Sequence, residues 1–241
     1  AMNRPPRLLL IDPSTRSSEE RGLQTLARFW PGDVVVSRPA LCPGDGPDAG
    51  SGYDLDAVVL MGSRASANDD LPWERELGAW LAPLLTGSTP LPLLGICFGH
   101  QMIAHAAGGE IGFVRPDRSK LVGVEASELR ASRLAPDVVL RVAVSHAEEV
   151  KRLPEGFRIT GFREGVMVDG FEHETLPVFG VQFHPEADGG FLEKRGVRVT
   201  DEQERALREA SETVIGGFYA VALRERARRE AVADGEAGRL P

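Results

Sequence analysis

The chain has 241 residues, 42% apolar and 27% charged, the balance of a folded globular protein rather than a disordered or fibrous one. A chain of this length withdraws roughly 70–75% of its unfolded surface from water on folding, so it needs no disulfide or metal staple. Its 28 basic and 36 acidic residues leave a net charge of −8. Only Lys120, Lys151 and Lys194 are lysines and no stretch forms a basic block, which argues against nucleic acid as a partner. Two cysteines, Cys42 and Cys97, make neither a disulfide framework nor a zinc site, which points to a reducing, cytoplasmic compartment. No apolar run reaches the roughly 20 residues of a membrane span, and the opening lacks a signal-peptide pattern. Ala1, ahead of Met2, reads as a remnant of cloning.

In chain order, continuous apolar runs at Arg7–Ile11, Asp33–Ser37, Leu55–Met61 and Leu91–Ile96 read as strands buried on both faces of a parallel sheet. Ser18–Trp30, Pro72–Leu85 and Phe98–Ala107 read as the helices between and after them. That alternation predicts an α/β fold: a doubly wound, mostly parallel central sheet flanked by helices. Leu41–Gly52, rich in Gly and Pro, reads as a mobile loop. In the second half, Val138–Ser145, Arg158–Phe162, Val166–Val168 and Val178–Phe183 are strands with little helix between them, so extra, partly antiparallel strands are expected there. Thr200–Glu230 places Leu207, Val214, Phe218 and Val221 on one helical face, with Glu204–Arg208 and Glu225–Arg229 as i,i+4 pairs. A long helix docked by one stripe follows, with a frayed ending over Ala233–Pro241.

The chemistry concentrates at Gly95-Ile96-Cys97-Phe98-Gly99-His100-Gln101. An apolar strand runs into Gly-X-Cys-X-Gly and then into helix-compatible sequence, the cysteine counterpart of a nucleophile elbow. The flanking glycines leave room where a side chain would strike the adjoining strand or helix. The helix start favours a thiolate. A structural cysteine in a Gly-rich turn shares this pattern, so the elbow alone leaves both readings open. His184 and Glu186, in Val181-Gln182-Phe183-His184-Pro185-Glu186, end a second apolar strand. Residues two apart in extended chain point to one side, which lets the Glu186 carboxylate hold the His184 imidazole. Among the remaining histidines, His100 and His105 read as packing or helix-surface residues, His146 as a pocket-lining residue or a strand-end one, and His173 as part of a solvated turn. Cys42 has no evident partner.

Together GICFGHQ and GVQFHPE, in that order, resemble the signatures of the class I (triad) glutamine amidotransferases. The turn Met61-Gly62-Ser63-Arg64-Ala65-Ser66 resembles that family's oxyanion loop, and SHAEEV resembles the SHGD-type segment of guanylate synthetase glutaminase domains and their stand-alone relatives. The similarity spans about residues 7–187. It implies a flavodoxin-like amidotransferase domain over 7–190 with a C-terminal helical extension over 191–241. It further implies Cys97 as nucleophile, His184 as base and Glu186 as orienting carboxylate. Gly62, Ser63 and Phe98 would form the oxyanion hole, and Gln101, Ser145, His146, Ala147 and Glu148 the substrate end. Neither metal nor cofactor is implied. Arg64 stands where the family often has proline or a small residue, and Ala147 where glycine is usual. Three readings follow: a glutaminase passing ammonia from L-glutamine to an acceptor activated by a separate synthetase partner, a free-standing hydrolase of γ-glutamyl amides, and a binding homologue without turnover.

Overall fold

The computed structural model describes residues 4–42, 44–46 and 55–237. In chain order it contains β1 (Arg7–Ile11), α1 (Glu20–Arg28), β2 (Asp33–Ser37), β3 (Ala57–Leu60), α2 (Pro72–Leu85), β4 (Leu93–Ile96), α3 (Phe98–Ala106), β5 (Glu110–Phe113), β6 (Leu121–Leu129), β7 (Val138–His146), β8 (Glu148–Arg152), β9 (Phe157–Arg163), β10 (Val166–His173), β11 (Val178–Val181), α4 (Gly189–Glu193) and α5 (Asp201–Ala237). A nine-stranded sheet has the order β2-β1-β3-β4-β11-β10-β9-β6-β7. Its first five strands pair in parallel, and every pairing from β11 to β7 is antiparallel. β5 and β8 form a separate antiparallel pair.

Period-two alternation sorts each parallel strand between two apolar layers. Leu8, Leu10, Ala57, Val59, Leu94 and Ile96 face α1 and α5, where Leu23, Leu26, Val214 and Phe218 complete one core. Leu9, Ile11, Val58, Leu60 and Leu93 face α2 and α3, where Leu77, Leu81, Met102 and Ile103 complete the other. This is why the strands read as unbroken apolar runs.

α5 buries Leu207, Val214, Phe218 and Val221 as its periodicity predicts, together with Ala210, Ile215, Tyr219 and Ala222. It remains helical through Ala237, across the first part of the segment expected to fray; Gly238–Pro241, Ala1 and most of the loop expected at Leu41–Gly52 lie outside the described residues. β10 continues to His173, well past Val168, and β5, β6 and β8 occupy stretches with no strand signal. The far edge strand β7 curls back toward the parallel half, since its Ala143 forms an antiparallel bridge with His184.

Candidate active site

Three adjacent parallel strands deliver the predicted triad and oxyanion loop to one place. β4 lies between β3 and β11, with Gly95 opposite Leu60 on one side and Ile96 opposite Val181 on the other. The residues just beyond these carboxyl ends are Cys97, Met61-Gly62-Ser63 and Gln182-Phe183-His184, so neighbouring strands become neighbouring reactive groups. Cys97 occupies φ 52°, ψ −102°, a strained backbone for a residue with a side chain, and it begins α3. Both flanking glycines are required by contact. A Cβ at Gly99 would stand 2.0 Å from the Leu60 carbonyl oxygen, and one at Gly95 2.5 Å from the Gly99 backbone.

Gly62 marks where the base and the nucleophile meet. A Cβ there would lie 2.9 Å from His184 Cε1 and 3.6 Å from Cys97 Cβ. His184 is fixed on several sides: its N–H donates to the Ala143 carbonyl at 2.8 Å, and its ring lies 4.6 Å from that of Phe191. Ser211 of α5 donates its hydroxyl to the Pro185 carbonyl, clamping the next residue. The Nδ1 of His184 is 2.8 Å from Glu186 Oε1, with both side chains buried. Burial opposes charging of this imidazole, but the Glu186 carboxylate and the adjacent Cys97 sulfur outweigh it and hold the pKa up at about 10. His184 is therefore positioned to hold a proton beside a sulfur that is only 5% exposed.

The proposed oxyanion donors surround the same point. Phe98 supplies the first N–H of α3, which has no acceptor within the helix. Gly62 and Ser63 follow β3, and neither N–H donates to an acceptor among the described residues. Ser63 Oγ donates to the Pro13 carbonyl at 2.7 Å and accepts from the Ala65 N–H, which fixes the loop.

The expected substrate-end residues divide into two groups. Gln101, His146 and Glu148 form one cluster, in which Gln101 Nε2 donates to the Glu148 carbonyl at 2.8 Å and to Gln182 Oε1 at 3.1 Å. His146 Nδ1 lies 2.9 Å from that same carbonyl, and its Nε2 lies 2.8 Å from an Arg163 guanidinium nitrogen. Both ring nitrogens are thus taken by protein, so His146 has none left for a substrate, contrary to a direct binding role. Burial and the Arg163 charge push its pKa down to about 4, which keeps the ring neutral: Nδ1–H donates to the carbonyl and Nε2 accepts from Arg163. Ala147 is half-buried in the turn between β7 and β8. Ser145 instead faces a cavity beside the triad, where its hydroxyl accepts from Arg195 Nε at 3.0 Å.

That cavity, about 490 Å³, is lined by Gly62, Ser63, His184 and Glu186 together with the Ser14–Glu19 loop that follows β1. Five cations also line it: Arg16, Arg64, Lys120, Lys194 and Arg195. In the sequence only Arg64 stands out among them, because the five come from four separate segments. Of the other histidines, His100 is wholly buried, stacked 4.5 Å from Phe171 and pushed down to about 4 by burial; His105 is exposed. His173 sits in a tighter turn than expected, where Nδ1 accepts from the Thr175 and Leu176 N–H groups. Its neighbour Glu172 is buried against Arg133 and Arg158. Cys42 is exposed, and both cysteines are free thiols.

Comparison with known proteins gives this geometry a family. The glutamine amidotransferase class-I model matches residues 55–198, more than half of the chain. The glutamine-hydrolysing subunit of a GMP synthase from Thermococcus kodakarensis is 43% identical over 96 residues, covering 40% of this chain and 51% of the relative. A glutamine-hydrolysing GMP synthase from Hahella chejuensis is 39% identical over 143 residues, covering 56% of this chain and 26% of that protein. The chain thus spans about half the length of the GMP synthase subunits it matches. Among solved structures, a glutamine amidotransferase from Thermotoga maritima aligns with TM-score 0.67 at 22% identity, over 92% of this chain and 97% of that one. A glutamine amido transferase from Methylobacillus flagellatus aligns with TM-score 0.63 at 20% identity, over 92% and 93% of the two chains. These structural likenesses speak for the fold, and the sequence match over Cys97, His184 and Glu186 speaks for more: the chain belongs to the class-I glutamine amidotransferase family.

Proposed function

We propose that the protein is a cysteine-nucleophile amidase that cleaves the side-chain amide of L-glutamine or of a γ-glutamyl compound. The observation that carries this reading is the Cys97 elbow, with its left-handed backbone, placed against a His184 that Glu186 holds charged. In the proposed reaction the Cys97 proton passes to His184 and the sulfur attacks the δ-carbon of the carboxamide. The resulting oxyanion sits on the N–H groups of Phe98 and of Gly62 or Ser63, a contribution of about 3–4 kcal/mol per donor in comparable sites. His184 then protonates the leaving nitrogen, the C–N bond breaks, and a γ-glutamyl thioester remains on Cys97. Water, deprotonated by His184, hydrolyses the thioester to glutamate and restores the thiol.

In this reading residues 7–190 form the catalytic domain, and the extension over 191–241 contributes Lys194 and Arg195 to the cavity wall. The relatives' designation as glutamine-hydrolysing GMP synthase subunits supports an ammonia-donating role toward a separate synthetase partner. No helix among the described residues is long and apolar enough to cross a membrane. A cytoplasmic setting belongs to this reading too, supported by two thiols that stay free. The cationic cavity beside the triad favours the second reading, a free-standing hydrolase of substituted γ-glutamyl amides.

The test is covalent labelling by a glutamine-analogue electrophile, read by intact mass and by peptide mapping. One adduct on Cys97, absent from Cys97→Ser, is the expected result. No adduct, with or without a candidate synthetase partner, overturns the amidase reading.

A further inference from the structure

The parallel sheet reverses direction of winding between β1 and β3, and the loops following these two strands, Ser14–Glu19 and Gly62–Arg64, face each other across the cavity. Crevices of this kind are where open α/β sheets hold ligands. In a chain of net charge −8, this crevice gathers five cations against two carboxylates, Glu19 and Glu186. Glu186 is already committed to His184.

Three of the cations converge on the nucleophile. Lys120, Arg64 and Arg195 act electrostatically on one another, and both Lys120 and Arg195 act on Cys97. Arg195 is pre-positioned: Ser145 Oγ and the Phe191 carbonyl accept its N–H groups at 3.0 and 2.7 Å, and its guanidinium lies 3.5 Å from the centre of the Phe191 ring. Arg64 and Lys120 have no side-chain hydrogen bond or ion pair among the described residues. Lys120 is half-buried, so an uncompensated charge is kept there against the cost of desolvation. Convergent, unpaired cations held near a buried reactive centre are complementary to an anion.

We propose that this cavity is a subsite for an anionic group carried on the amide nitrogen of the substrate, so that the preferred substrate is a γ-glutamyl amide whose amine portion bears a carboxylate or a phosphate-like group. The inference rests on the amidase reading. The cavity lies on the His184–Glu186 side of Cys97, the side from which the protonated amine departs, and neither Gln101 nor Glu148, the expected amino-acid end, lines it. The anionic substituent sits among Arg64, Lys120 and Arg195 while the scissile carbonyl meets Cys97. After C–N cleavage the product amine leaves with its anion through the same mouth.

The experiment compares γ-glutamylglycine with γ-glutamylglycinamide, which differ only in whether the nitrogen substituent ends in a carboxylate or a neutral amide. γ-Glutamyl aminomethylphosphonate is the third arm. Charge-assisted contacts to two or three cations predict kcat/KM higher by about tenfold or more for either anionic compound over the neutral one. The better of the two anions identifies the source of the charge. Lys120→Met and Arg64→Met bring the ratio toward one, and the ratio cancels any general loss of activity. Calorimetry on Cys97→Ala reads the same preference without turnover. Equal rates and equal affinities for charged and neutral compounds overturn the subsite while leaving the amidase intact; this is also the result if the cations serve the substrate's α-carboxylate, which all three compounds share. Absence of Cys97 labelling, by contrast, sinks the amidase reading itself.

Discussion

The two halves of the large sheet do different work. The parallel half, β2-β1-β3-β4-β11, supplies every group proposed to touch the reacting atoms, each at a strand's carboxyl end. The antiparallel half, β10-β9-β6-β7, supplies none of the triad but holds it. Its Ala143 carbonyl accepts the His184 N–H, its Ser145 steadies Arg195, and its Arg163 reaches His146. The parallel strands are buried on both faces and tolerate no Cβ at the elbow glycines. The antiparallel strands expose one face, where Val139, Ile159, Phe162 and Met167 remain in water. Chemistry is built where packing is tightest, and positioning is delegated to strands that pair through polar side chains as well as backbone.

The largest expected effect breaks the comparison on the parallel side. Glu186→Gln keeps the shape but removes the charge that holds His184 protonated, so kcat should fall by about 10³–10⁴-fold with the fold intact, as for other buried orienting carboxylates. The same variant has a stability signature. The folded His184 pKa is raised to about 10, above the unfolded value near 6.5, so its protonated form stabilises the native state most fully below about pH 6.5. That stabilisation is lost as pH rises through about 10. Urea midpoints measured from pH 6 to 10 should decline in the wild type and be flatter in Glu186→Gln.

The antiparallel side answers to Arg163→Leu. Arg163 and Asp169 are both buried, with Nε donating to Oδ1 at 2.8 Å, and Ser127 donates to the other Asp169 oxygen at 2.6 Å. Removing the guanidinium leaves an unpaired carboxylate in the core and should cost about 3–5 kcal/mol in denaturant unfolding. It also frees His146 Nε2, and through it the Glu148 carbonyl that fixes Gln101, so KM should rise proportionally more than kcat falls. A loss of stability with KM unchanged would reduce the antiparallel half to scaffold. Gly99→Ala tests the tight half in turn. Its methyl would meet the Leu60 carbonyl oxygen at 2.0 Å, and overpacking of this kind costs about 1–3 kcal/mol or more, with the elbow displaced and labelling of Cys97 slowed.

The halves also differ in how much their sequences reveal, for the same physical reason. β1, β2 and α2 have the bounds that their patterns predict, because a strand covered on both faces is a short apolar run and little else. The triad is readable because each member directly follows such a run. The pattern of β10 stops at Val168 because Asp169 and Glu172 follow, and isolated carboxylates signal a loop; here both are buried against arginines from other strands. β6, with Glu125, Ser127 and Glu128 interleaved among small apolar residues, carries no run at all. The cation cluster is invisible in the sequence for a further reason. Arg16, Arg64, Lys120 and Lys194-Arg195 are far apart along the chain, and only the strand order makes them neighbours.

The smallest predicted effect concerns the helix that ties the parallel half to its outer layer. Tyr219 of α5 is buried edge-on against Trp30, with ring centres 5.0 Å apart, and donates its hydroxyl to the Leu26 carbonyl at 3.0 Å, near the end of α1. That carbonyl belongs to the last turn of α1, where intrahelical donors run out, so the tyrosine serves as a cap delivered from 193 residues away. Burial pushes the phenol pKa upward, so the hydroxyl remains a donor throughout the working range. Tyr219→Phe preserves the ring packing and removes only this bond, for an expected loss of about 1 kcal/mol in urea unfolding. Because α1 also carries Gly22, where a Cβ would stand 3.0 Å from Glu186 Cγ, a shift of α1 would be transmitted to the triad. Labelling of Cys97 at an unchanged rate in Tyr219→Phe would show that α1 stays in place and that the hydroxyl contributes stability alone.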